Sequence, residues 1–258
     1  MNSLCEEFNK INPNELDSLL KLFNAQLENM AEFPHITYSY QHPDYGKKAH
    51  PIVEPLQSFE LLGWDFDLSE AFIRDILSAP DIQLADELEN LIMNDLASFH
   101  QQSEGETLFM QSKFIIALLL LKEIRSPKSI DIVLEILRQD TPFFETYFGD
   151  TGSEVFPPII YQLASDQLPK LLDFMKEPGI LPFGKTFVAM AVANIACTTP
   201  MRRLEVISWF CQALSFFYDH IHDEAIFDGI IIDSMAFDIM NIHAKEALPL
   251  LRSCMKPI

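Results

Sequence analysis

The sequence predicts an all-α chain, an irregular α-solenoid of stacked antiparallel helix pairs with a long Pro/Tyr/His-rich N-terminal arm. Three observations carry this. An apolar stripe at i, i+3, i+4, i+7 spacing returns about every forty residues, which is the periodicity of helix-pair repeats. Only 8 of 258 residues are glycine, and alternating Val/Thr-rich runs, the mark of half-buried strands, are scarce. The hydrophobic fraction is 48%, enough for a continuous core in a chain of this length.

The first helix opens at Asn12, an N-cap residue, with Pro13 suited to the first helical position. Leu16, Leu19, Leu20, Phe23 and Leu27 form its stripe, and it stops before Pro34. Residues 34–58 carry Pro34, Pro43, Pro51, Pro55 and Gly46 and read as an extended arm. Helices resume near Asp67, with one stripe of Phe72, Ile73, Ile76 and Leu77. The Ala79-Pro80 break follows, and then a second stripe of Leu84, Leu88, Leu91 and Ile92.

From about Thr107 the repeat is visible. Four amphipathic helices carry Ile130, Val133, Leu134 and Leu137; then Leu168, Leu171, Leu172 and Met175; then Leu204, Ile207 and Cys211; then Ala244, Ala247, Leu248 and Leu251. Their starts lie 38, 36 and 40 residues apart. Each follows a more uniformly apolar helix: residues 109–124, 155–164, 183–196 and 225–239. A helix apolar on most sides belongs inside a stack. No single pair can bury its own apolar face, so neighbours must stack, as in HEAT and armadillo repeats. We read residues 1–258 as one helical repeat domain: residues 1–60 the first helix and arm, 61–106 irregular helices, 107–258 the repeats.

The stretch FIIALLLLKEIRSPKSIDIVLEILRQD (residues 114–140), the Gly149-Asp150 turn and residues 151–251 together resemble a bacterial family of HEAT-like helical repeat proteins, domain-of-unknown-function family 1186. The resemblance covers about residues 107–251 and rests on the order of elements. It implies an all-α repeat fold and brings no catalytic residues with it.

Charge narrows the partners. The chain has 38 acidic and 18 basic residues, a formal charge of −20. Residues 60–106 hold 12 acids against the single base Arg74. Such a surface repels nucleic-acid phosphates and anionic membranes, so neither is expected as a partner. A basic protein or peptide is the complementary one, although the plainer reading of the charge is solubility, and we favour it. Cys5, Cys197, Cys211 and Cys254 form no CxxC pair, which fits a reducing, cytoplasmic setting. The residues at the start, MNSLCEEFNK, lack the basic and apolar regions of a signal peptide. The longest apolar run, Phe114 to Leu121, is too short for a bilayer, which takes about 20 residues.

Polar clusters supply the candidate sites. Asp219-His220-Ile221-His222-Asp223-Glu224 contains metal-competent ligands. With Asp228 nearby, the candidate ligands are His220, His222, Asp223 and Asp228. On a helix His220 and His222 would diverge by about 200°, so they converge only in a loop; the plainer reading is a solvated connection. Asp228, Asp233 and Asp238 fall at five-residue steps and do not share a helical face. Of the three, Asp233, between Ile232 and Met235, is read as the one inside the stack, in a structural role. The arm offers Tyr38, Tyr40, Tyr45, Lys47 and Lys48 as partner contacts, beside His35, His42 and His50. An arm that covers an apolar solenoid end would use the same tyrosines, and this is the favoured reading. Phe143, Phe144, Tyr147 and Phe148 form either core between repeats, as we favour, or a partner groove. GxGxxG, GxxxxGK[ST], HExxH and GxSxG are absent, and Asp150-Thr151-Gly152 reads as a turn. No cofactor is implied. The favoured function is a non-catalytic scaffold for protein partners; the alternative is a metal-dependent or small-ligand-binding enzyme built on Asp219–Glu224.

Overall fold

The structure is a computed structural model that describes residues 35–46, 69–101 and 112–255. Among the described residues there are eleven α-helices and no strand. The predicted helix before Pro34, together with His50, Lys47 and Lys48, lies outside them. The chain divides into two compact units, residues 38–171, and residues 1–37 with 172–258.

In the unit of residues 38–171, α1 (Glu70–Ile76) opens on Ser69, whose hydroxyl accepts from Phe72 N. α2 (Asp81–Gln101) then buries the predicted stripe Leu84, Leu88, Leu91 and Ile92. It packs on α3 (Ser112–Ile124), and α3 in turn packs on α6 (Gly152–Ala164). Between them run α4 (Ile130–Leu137) and α5 (Thr141–Tyr147). All four residues of the α4 stripe are buried. α7 (Leu168–Met175) follows, and the unit boundary falls within it.

In the other unit, α8 (Pro182–Thr198) packs on α10 (Gly229–Asn241), and α9 (Arg203–Asp219) packs on α11 (Leu248–Cys254). Three of the second helices are entered through a 3-10 turn: Pro127–Ser129 before α4, Pro200–Arg202 before α9, and Lys245–Ala247 before α11. Arg125 and His243 both stand in the left-handed region just before two of these turns. A left-handed residue stops a helix by turning its last carbonyls toward new donors.

Polar contacts repeat the forty-residue step. Within residues 38–171, Ser129 Oγ donates to Glu89, 40 positions away, and Gln167 Nε2 donates to the Pro127 carbonyl, also 40 away. Lys170 pairs with Asp131, 39 away, and Lys128 with Asp86. In the other unit Arg203 donates to the carbonyls of Ile242 and His243, 39 and 40 away, and Cys254 Sγ to Leu214 O, 40 away.

The structure corrects four local readings. Leu204 is not on the buried face of its helix: it is 73% exposed in the first turn of α9. The buried stripe is instead set by Val206, Ile207, Phe210, Ala213, Leu214 and Phe217, with the rings of Phe210 and Phe217 fully buried. α10 begins at Gly229 and not at Ala225, because Asp228 caps it by accepting from Ile230 N. α11 begins at Leu248, since residues 245–247 form the 3-10 turn. Finally, the Phe143–Phe148 cluster contains a helix the periodicity missed. Asp140 caps α5 by accepting from Phe143 N, with Pro142 in its first turn.

Candidate functional site

Two neighbourhoods gather the residues singled out above, one in each unit. In the unit of residues 38–171, the segment Tyr38–Gly46 has no regular secondary structure and is held by its side chains. Tyr38 donates to the carbonyl of Arg138 at 3.0 Å. Tyr40 and Tyr45 both donate to the Glu135 carboxylate, at 2.9 and 2.7 Å. Gln139 Nε2 donates to the Tyr45 hydroxyl at 2.7 Å, and Arg138 pairs with Glu135 at 3.2 Å while lying over the Tyr40 ring.

α4 therefore ends in a polar platform, Glu135-Arg138-Gln139, that no apolar stripe announces. Burial is the main reason the Tyr38 phenol is pushed up to about 12, with the Asp140 and Glu135 charges adding to it. The Tyr45 phenol rises further, through burial and its bond to Glu135. Both stay protonated, as donors must. Tyr38, Tyr40 and Tyr45 thus spend their hydroxyls on their own chain.

The same platform reaches α2. His100 Nε2 lies 2.7 Å from Gln139 Oε1, and the His42 ring stacks on the His100 ring at 3.7 Å between centroids, 20° from parallel. His42 belongs to the arm singled out in the sequence, whereas His100 is marked there only as the polar end of α2. Burial lowers the affinity of His100 for a proton; His42 lowers it too, while the bond to Gln139 and the charges of Asp140 and Glu135 act the other way.

In the other unit, Asp219, His220, His222, Asp223 and Glu224 line an open depression of 590 Å³. The predicted metal set does not form there. Among the described residues, no group of three His, Cys, Asp or Glu side chains is placed to hold a metal ion. His220 directs Nδ1 at the Phe216 carbonyl at 2.8 Å and lies against the Phe216 ring. Asp223 accepts from Ala225 N. Asp228 is only 2% exposed and faces inward, accepting from Ile36 N at 3.0 Å and Ile230 N at 2.8 Å, with His35 Nδ1 at 3.5 Å. Its role as helix cap and anchor for His35 and Ile36 is why it cannot also join the exposed His222 and Asp223.

The expectation for Asp233 is likewise amended. Asp228 and Asp238 are the buried carboxylates of α10, whereas Asp233 is half-buried with only Oδ1 sealed and unbonded. Burial, with Asp228 nearby, raises the Asp233 carboxyl to about 6.

Lys185 is the outlier of this unit. On the first turns of α8 it is fully buried, and its ammonium lies 5.7 Å from the Phe217 ring centre with no hydrogen-bond partner. Burial pulls its proton affinity down to about 8, against the opposing pull of Glu177 and Asp228. Below about pH 8 the amine is charged and the fold carries the full cost of burying that charge; the cost fades as pH rises toward 10.5. Lys185→Met should therefore stabilise the chain at pH 7 by about 1–3 kcal/mol. The gain should shrink between pH 8 and 10, as read by denaturant unfolding at each pH. A loss of stability at pH 7 would mean that the amine is held by partners stronger than Phe217.

No membrane-length apolar helix occurs among the described residues. Comparison of the chain with protein-family models, with curated proteins and with solved structures gives no match in any of the three.

Proposed function

We propose that the chain is a non-catalytic helical-repeat scaffold, an irregular solenoid of HEAT-like helix pairs related to domain-of-unknown-function family 1186, that binds a protein or peptide partner in a reducing compartment. One observation carries the reading: in both units, polar contacts tie positions 39 or 40 residues apart. Bonds at one repeat period are what stacked, equivalent hairpins make. Stacked hairpins present extended surfaces suited to long partners. The solvent-facing apolar side chains Met201 and Leu204, 94% and 73% exposed at the entry to α9, supply a first place to look. The charge of −20 favours a basic partner.

The test is site-specific photo-crosslinking in the cells that express the chain. A benzoylphenylalanine in place of Met201 or Leu204 should yield a discrete protein adduct. One in place of the exposed Gln212, on the same helix, should not, and excess unlabelled chain should compete the adduct away. Adducts identical to those of the Gln212 control, or none from either position, would remove the support from this surface.

A further inference from the structure

The contacts of Tyr38–Gly46 meet at one feature that the scaffold reading leaves unused, the stacked imidazoles of His42 and His100. We propose that this pair is a pH-sensitive latch: with the His100 ring neutral it holds Tyr38–Gly46 against the ends of α2 and α4, and a proton on His100 beneath the His42 ring releases the segment and uncovers the Glu135-Arg138-Gln139 platform.

The geometry makes the neutral state the docked one. Gln139 commits its amide N–H groups to the Tyr45 hydroxyl and the Glu135 carbonyl, so its Oε1 is the acceptor and His100 Nε2 the donor. A neutral His100 with its proton on Nε2 fills that role, and the stacked rings above it are what a second proton would disturb. His42 lies face to face with it at 3.7 Å, and Tyr45 stacks at 5.6 Å from His100 and 5.7 Å from His42. Three flat rings in contact suit uncharged partners. Two imidazolium rings at that distance repel, and the half-buried one has little water to screen it.

The groups facing the pair decide the sign. From α4 and its end come Glu135, Arg138, Gln139 and Asp140; from the segment itself come Tyr45 and the Pro43 carbonyl, 3.1 Å from His42 Nδ1; from the neighbouring aromatic layer, Phe99 meets the His100 ring edge-on. The bond to Gln139 Oε1 and the charges of Asp140 and Glu135 attract a proton to His100, and His42 repels it. Glu135, however, already accepts from Tyr40 and Tyr45 and pairs with Arg138, and Asp140 accepts from Phe143 N as the α5 cap. Asp44, the remaining acid of the segment, is turned to Gly46 N. Burial is the largest influence on His100 and it opposes the proton. With the segment released, His100 is open to water and takes up a proton more readily than in the docked state. Docking is therefore fully present above the ordinary imidazole value of about 6.5 and weakens as pH falls through it, about tenfold for each unit by which docking depresses proton binding.

Solution NMR of the full chain with ring-labelled tyrosine tests this. Lowering the pH from 7.5 to 5 should move the Tyr38, Tyr40 and Tyr45 signals to free-chain positions, while Tyr147 and Tyr161 stay in place. His42→Gln should shift the transition to lower pH. Combined with His100→Gln, it should leave the three tyrosines docked across the range. Three results would overturn the latch: docked signals in the parent chain at pH 5, a midpoint unmoved by His42→Gln, or Tyr147 shifting with the same midpoint, which would be general unfolding. Should the double variant fail to dock at pH 7.5, the His42→Gln midpoint alone decides.

Discussion

Phe143→Ala should cost the chain about 3–5 kcal/mol, the upper range for a buried aromatic. Phe143 is fully buried on α5, and its ring meets five others: Phe99 edge-on at 5.1 Å, Phe114 at 5.8 Å, Tyr147 at 4.7 Å, and Phe144 and Phe148 at just over 6 Å. Those partners come from α2, α3 and α5 and from the residue after α5, so one ring joins three helices. Removing it leaves a cavity that rigid aromatic walls cannot close, and edge-to-face pairs are lost besides the buried area. Denaturant unfolding at neutral pH reads the loss. Phe143→Leu, which keeps most of the volume, should recover more than half of it. A loss under about 1 kcal/mol for the alanine variant would mean that the layer collapses around the gap, and that α5 is less integral than its burial implies.

The same ring shows what the sequence could and could not reveal. Phe143, Phe144, Tyr147 and Phe148 were readable as a packed cluster, because so many aromatics beside Pro142 have to be shielded from water. The helix carrying them was not readable, since seven residues hold too few turns for a period to emerge. The stripes of α4 and α7 were readable because burial selects the same spacing over and over. Leu204 broke the pattern: a leucine in a first turn satisfies the spacing whichever way the turn faces, and the facing is fixed by Trp209, Phe210 and Phe217 further along. The platform of Glu135, Arg138 and Gln139 lay beyond sequence reasoning. Its meaning depends on tyrosines some ninety to a hundred positions away, and no local pattern encodes that encounter. At Asp219–Glu224 the plainer reading, a solvated connection, fits the geometry: neighbouring ligand types point to a carbonyl, a backbone amide and solvent instead of to one another.

Asp238 should make the chain less stable as pH rises toward 8, and Asp238→Asn should remove that dependence. The carboxylate lies on the buried face of α10, 7% exposed, with Oδ2 unbonded. Burial alone raises its carboxyl from 3.8 to about 7. A carboxyl raised by folding is harmless while it is protonated in both states, near pH 4. Above that the unfolded chain gains by ionising, and the folded chain can follow only near pH 7, so the deficit grows through this window and levels off beyond it. At full ionisation the rise corresponds to about 4 kcal/mol. Asn has nearly the same shape, is polar, and never ionises. It should therefore match the parent chain near pH 4 and exceed it by about 2–4 kcal/mol at pH 8. Cys197 gives an independent readout. Burial raises its thiol and the Asp238 charge adds to that, so the exposed Cys197 should alkylate faster in the Asn variant at pH 8. Equal stability of the two chains at pH 8 would show that the carboxylate has water or a cation for company, and that the α8–α10 interface is wetter than its packing implies. A stability gain without faster alkylation would place Asp238 too far from Cys197 for its charge to be felt there.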